Sequence, residues 1–253
     1  MYFIEPYMLI HKPVLITKNL TSNSRFKTLA IRHLSDFHFG DCPVRDLKLI
    51  NKIIALPPAD ILCMTGDFIE NSRGLQALEI LLRNSSYPYG GYAVFGNNDG
   101  RWRHILSERF ARYKITTLLN EMRSVNIDDV IINITGLDDS HLFKEHLPAK
   151  VSDNGLNILL AHSSEIYTNR PDRKIDYDII LTGHTHGGQI TLPFVGSVFH
   201  NTRNGNKWSK GVYNIGSSTL IVNTGIGTTA LPLRLFRPPE AITVLIPHIN
   251  GMR

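Results

Sequence analysis

Cysteine is scarce. Of 253 residues only Cys42 and Cys63 are cysteines, so no disulfide framework supports the fold, and a reducing compartment is the expected setting. Long apolar runs are missing too. The opening stretch MYFIEPYMLIHKPVLITKNL is broken by Glu5, Pro6, His11, Lys12 and Pro13, a pattern that fits neither a signal-peptide core nor a spanning helix. The expected location is cytoplasmic, with peripheral membrane contact left open. Low-complexity tracts and a repeat period are absent, which excludes solenoids and extended disorder. A basic run is also lacking. Lysine and arginine total 27 against 22 acidic residues, a formal charge of +5, but the positive residues are scattered, at closest in pairs such as Arg101 with Arg103 or Arg173 with Lys174. Such a surface suits an anionic substrate, and without an aromatic-rich basic stripe it argues against nucleic acid as a partner.

What is present is ordinary globular material. Hydrophobic residues make up 42% and charged residues 19%, and the length suits one α/β domain over residues 1–253. Five short apolar runs end abruptly in polar, mostly Gly-containing segments: Leu29–Leu34 before SDFHFG, Ile61–Met64 before TGDFIE, Tyr92–Phe95 before GNNDG, Ile158–Leu160 before AHSSE, and Ile179–Leu181 before TGHTHGGQ. Buried strands whose C-terminal ends open into functional loops read this way. Val44–Leu56 and Gly74–Arg83 carry apolar residues at helical intervals, giving a β-α-β alternation. From Gln189 onward, Gly- and Asn-punctuated runs (Val212–Ile215, Thr219–Val222, Ala241–Ile246) suggest antiparallel strands. The architecture inferred is a mixed sheet pair flanked by helices.

The strand ends hold metal-ligand chemistry. Asp36 and His38, two apart, point to one side of an extended segment. Asp67 follows Gly66, where a small residue allows close approach and a carboxylate could bridge two ions. Asn97 offers a neutral amide oxygen. His162 ends its run, and His184 and His186 alternate in GHTHGGQ, able to serve neighbouring ions. Each signal alone is more often a turn or a structural histidine. Four histidines, two carboxylates and an amide at successive strand ends are a different matter.

The ordered series DxH, GD, GNxD, H and GHTH resembles the calcineurin-like metallophosphoesterase superfamily. GHTHGGQ, with IEP near the start and the closing GTTALPLRLFRPPE, is similar to its YkuE/YaeI-type branch. The resemblance covers nearly the whole chain and implies a two-sheet β-sandwich flanked by helices. It implies two divalent ions (Mn, Fe or Zn), one held by Asp36, His38, Asp67 and His186, the other by Asp67, Asn97, His162 and His184. Asp67 would be the bridge, and a metal-bridging hydroxide would attack phosphorus in line. One position departs from the pattern. The third motif usually reads GNH followed by an acid, the histidine serving the leaving oxygen, whereas this chain has Asn98, which cannot supply a proton near neutral pH. Asp99 remains, as an orienting partner without its histidine, and Asn98 and Asp99 are the catalytic candidates.

Three functions compete. The first is a dimetal phosphoesterase acting on a phosphorylated small molecule or lipid, and the second a pyrophosphatase of the kind that cleaves UDP-2,3-diacylglucosamine in lipid A synthesis. The third is an inactive binding module, which the complete ligand set argues against. Substrate identity would lie in loops. The candidates are Gly100–Tyr113, with Arg101, Trp102, Arg103 and His104, and Gly136–Leu147, with Asp138, Asp139 and His141.

Overall fold

In the computed structural model, described over residues 5–17, 28–138, 155–167, 177–194, 196–197 and 207–247, two six-stranded sheets carry the fold. In chain order the strands are β1 (Ile10–Leu15), β2 (Thr28–Leu34), β3 (Ile61–Thr65), β4 (Gly91–Val94), β5 (Ile115–Thr117), β6 (Glu121–Ile127), β7 (Val130–Gly136), β8 (Leu156–Ser163), β9 (Ile179–Gly183), β10 (Thr191–Leu192), β11 (Gly196–Ser197), β12 (Gly211–Ile215), β13 (Ser218–Val222) and β14 (Glu240–Pro247). One sheet runs β1-β14-β2-β3-β4-β5 and the other β12-β13-β9-β8-β7-β6, with β10 and β11 as a separate small hairpin.

Alternate residues of the central strands face opposite layers, and both layers are apolar. Ile31, Ile61, Cys63 and Val94 of the first sheet pack against Ile132, Ile134, Ile158, Leu160, Ile179 and Leu181 of the second. Leu34, Leu62, Met64 and Ala93 point the other way, into a layer made by helices α1 (Pro43–Ile54), α2 (Ser72–Arg83) and α3 (Arg103–Arg112). Continuous apolar strands follow from burial on both faces. Helix α1 has Pro43 in its first turn, where a missing N–H costs nothing, and buries Leu49, Ile50 and Ile53. Helix α2 is capped by the Asn71 side chain, which accepts from the Arg73 N–H at 3.0 Å. The sandwich flanked by helices expected from the resemblance is the architecture found.

Strands β2 to β5 are mutually parallel, as are β7, β8, β9 and β13. The late chain differs from the antiparallel expectation: β13 pairs antiparallel with β12 but parallel with β9, and β14 lies parallel to β1 and antiparallel to β2. Gly100–Tyr113 is not a loop either. A 3-10 turn over Asn97–Trp102 leads into α3, which buries Leu106 and Phe110 one helical turn apart. Asp139 and His141 lie outside the described residues. No described helix is long and apolar enough to cross a membrane.

Candidate metal centre

The C-terminal ends of β2, β3, β4, β8 and β9 converge between the two sheets. The ends of β2, β3 and β9 need an unusual backbone. Asp36, His38, Asp67, His184 and His186 all have positive φ, between 44° and 69°, a region that L residues visit seldom and that clusters at functional sites. Glycines make the approach possible. A Cβ on Gly183 would overlap Ser35 Oγ and Asp36 Oδ2, and one on Gly66, itself at φ +88°, would fall 2.8 Å from His162 Nδ1.

Two clusters result, both buried: Asp36, His38 and His186, and Asp67, His162 and His184, each with its ligand atoms within 4.8 Å of one another. In the first, Nε2 of His38 faces Nε2 of His186 at 3.0 Å, with Asp36 Oδ1 at 3.7 Å from the latter. In the second, Nε2 of His162 lies 3.0 Å from His184 Nδ1 and 3.0 Å from Asn97 Oδ1. Asp67 joins them, its Oδ2 standing 3.5 Å from Nε2 of both His38 and His162. All seven residues read from sequence as ligands are thus brought together.

The surrounding bonds fix which nitrogens face inward. His162 Nδ1 lies 2.7 Å from the Thr65 carbonyl, an acceptor, so it carries the proton and Nε2 presents a lone pair. His38 Nδ1 is bonded to the Glu70 carboxylate, which turns Nε2 inward in the same way. Opposed imidazole nitrogens beside carboxylate and amide oxygens are the donor set a divalent cation such as manganese, iron or zinc would draw together. The residues fit a dinuclear centre.

Electrostatics agree. Burial would push the Asp67 carboxyl up, but His162, His38 and the Asn98 N–H outweigh it and hold it well below the usual carboxylate range. Burial raises Asp36, with Asp67 adding to it. Burial, His38 and Arg234 together keep His186 well below the ordinary histidine range and so neutral. For His38, burial is overcome by Glu70, Asp67 and Asp36, which raise it.

Asn98 and Asp99 are placed differently from the other seven. Asn98 gives its backbone N–H to Asp67 Oδ1 at 2.9 Å and its side-chain amide to Oδ2 at 3.0 Å. Asp99 is fully buried, and its oxygens accept from the backbone N–H groups of Asp67 (2.8 Å), Gly96 (2.8 Å) and Phe68 (2.9 Å). Burial and the charge of Asp67 push the Asp99 carboxyl up to about 7, while the Gly96 and Phe68 N–H bonds pull it down. Asp99 therefore orients backbone, not a histidine.

Other supports have weak sequence signals. Arg234 is buried, its Nη2 at 3.3 Å from His186 Nδ1, and its N–H groups go to the carbonyls of Gly227, Thr224 and Arg237. Buried Arg45 pairs with Asp46 at 2.8 Å, donates to the His38 carbonyl at 3.2 Å and reaches Thr228 Oγ1. Gln189, last residue of GHTHGGQ, bonds to Thr229 and Leu231. The closing motif is in this way fastened beneath the site.

Residues 29–188 match the family model described as Calcineurin-like phosphoesterase. The chain belongs to that family. Among calcineurin-like phosphoesterases it is similar to an uncharacterized metallophosphoesterase, YkuE, of Bacillus subtilis (strain 168), with 32% identity over 98% of this chain and 89% of that one. A second from the same organism, YkoQ, is 30% identical over 85% of this chain and 82% of its own. The phosphodiesterase YaeI of Escherichia coli (strain K12) is 27% identical over 85% and 80%.

Proposed function

We propose that the protein hydrolyses a phosphodiester or phosphoanhydride using two divalent cations, Mn, Fe or Zn, one held by Asp36, His38, Asp67 and His186 and the other by Asp67, Asn97, His162 and His184. The observation that carries this reading is the position of Asp67 Oδ2, 3.5 Å from Nε2 of both His38 and His162. One carboxylate can then serve both clusters. When bound, such cations supply positive charge against the phosphoryl oxygens and lower the pKa of a water at the site.

The chain's own residues prepare the place. Glu70 and the Thr65 carbonyl hold His38 and His162 in the tautomer with Nε2 unprotonated, and Asn98 fixes both oxygens of Asp67. Hydrolysis forms a P–O bond to the oxygen of water and breaks the one to the leaving group, which departs with the electron pair. The proton lost by water goes to solvent or to the departing oxygen. Asn98 cannot provide that proton, and it gives its backbone N–H and one amide N–H to Asp67. Leaving groups that depart readily are therefore favoured, a phosphate from an anhydride or an aryl oxide over an alkoxide. The pyrophosphatase reading falls in this class through its leaving group alone, and the name of the Escherichia coli relative supports a diester.

The test is elemental analysis of the manganese-loaded protein alongside hydrolysis of an activated diester and an anhydride. Two ions per chain and turnover are expected, both reduced in Asp67→Asn. Full metal content with near-normal turnover in that variant would overturn the assignment. Wild-type protein that cleaves no ester or anhydride would favour the binding module.

A further inference from the structure

The 3-10 turn Asn97–Trp102 carries Asn98 and, three residues later, Arg101. At three residues per turn, positions i and i+3 eclipse, so Arg101 stands on the face that Asn98 presents to Asp67. Its Nη2 donates to the Glu70 carbonyl at 2.8 Å, and its guanidinium lies 5.1 Å from the centroid of the Trp102 ring. Glu70 is the residue whose carboxylate turns His38 inward. The cation is thereby fastened at the rim on the His38 side, exposed to solvent, where it adds to the His38 hydrogen bond that chiefly holds the Glu70 carboxyl below its ordinary value.

Asn98 gives its backbone N–H and one amide N–H to Asp67, and an amide has no proton to release near neutral pH, so the position that serves the leaving oxygen in the usual motif holds no acid. The next residue on that face is a guanidinium. It cannot release a proton near neutral pH, but its fork of N–H donors matches a phosphate.

We propose that Arg101 binds the anionic leaving side of the substrate, selecting phosphoanhydrides, whose departing half is itself a phosphate. The inference rests on the hydrolase reading above. In the step it serves, water's oxygen bonds to the attacked phosphorus, and the departing half leaves as a phosphate anion beside the guanidinium. That half needs no protonation at the bond broken, which reconciles a site lacking the usual acid with turnover.

The test uses the manganese-loaded full chain and two substrates: ADP-ribose, whose departing half is a phosphate ester, and methyl p-nitrophenyl phosphate, whose departing half is an aryl oxide. Arg101→Ala should lower kcat/KM for ADP-ribose about tenfold and leave the nitrophenyl diester within about threefold, since a charge-assisted hydrogen bond at an exposed site is at the low end of its range. Arg101→Lys should recover part of the loss.

A second readout does not depend on turnover. Trp102 and Trp208 are the two tryptophans, so in a Trp208→Phe background the fluorescence reports the ring beneath Arg101. AMP, as a mimic of the departing half, should change that fluorescence and bind about tenfold more weakly to Arg101→Ala, with two manganese ions still present. Equal losses on both substrates, lost manganese, or unchanged AMP affinity would each show that Arg101 only ties the Glu70 carbonyl. If wild type cleaves neither substrate the hydrolase reading fails, whereas the AMP titration still decides whether Arg101 binds an anion.

Discussion

Replacing Asp99 by asparagine tests how the centre is held in shape. The carboxylate accepts three backbone N–H bonds, from Asp67 and Gly96 at 2.8 Å and from Phe68 at 2.9 Å, inside a fully buried pocket. An amide keeps one acceptor oxygen and turns an NH2 group toward at least one of those donors. Each bond to a charged acceptor contributes about 1.5–3 kcal/mol and an orphaned buried donor costs about 1–3 kcal/mol, so a loss of about 3 kcal/mol is expected. That is a large share of the roughly 5–15 kcal/mol that holds a domain of ordinary stability. The assay is urea unfolding of metal-free protein at pH 8, where the wild-type group is ionised; because folding raises its value to about 7, ionisation itself costs the folded chain stability there, and the amide, spared that cost, should lose less at pH 8 than at pH 5. Because the same bonds join the Asp67 loop to the Asn97 loop, manganese affinity should fall with stability. An unfolding midpoint unchanged from wild type would refute the accounting. Lost turnover with intact stability and metal affinity would return Asp99 to a direct chemical role.

Glu70→Gln keeps an acceptor for His38 Nδ1 but removes the charge that makes the imidazole a stronger donor. Manganese affinity, read by chelator competition, should fall about tenfold, the low end for such partners, and an unchanged affinity would show that the charge contributes nothing. His33 is fully buried, and burial lowers it to about 3 from 6.5. The unfolded chain gains a proton there below pH 6.5 while the folded chain stays neutral. Stability should therefore decline as pH falls from 6.5 toward 3, with His33 contributing up to about 1.4 kcal/mol per unit. Thermal unfolding of metal-free wild type should be correspondingly steeper in pH than that of His33→Gln, and parallel curves would refute it.

What was legible in the sequence, and what was not, follows from how each element is buried. The five central strands are apolar on both faces, so each appears as a short run stopped by Gly or a polar residue, and the candidate ligands sit where the runs stop. Strand β1 escapes this reading because it is an edge strand, where Pro13 is tolerated and only Val14 is buried. Helix α3 escapes it because Leu106 and Phe110 are its only buried residues, too few to define a period. The supports of the centre were hidden for another reason. Asp99 acts on backbone N–H groups, which every residue has, and Arg234 reaches His186 from 48 positions away, so neither leaves a pattern in local spacing.

The same contrast explains why the candidate ligands could be picked out while the substrate could not. Five of the seven candidate ligands are tied to chain turns that tolerate few alternatives: left-handed φ at Asp36, His38, Asp67, His184 and His186, with glycines at 66 and 183 whose replacement would strike a neighbouring strand end. Such constraints write themselves into short motifs. Arg101 is under no comparable constraint. It is exposed, held by one bond to a carbonyl and by a neighbouring ring, and only the 3-10 geometry that follows Asn97 places it on the face shared with Asn98. A residue that tunes the substrate can change without disturbing the metal centre, and for that reason its role has to be read from the fold.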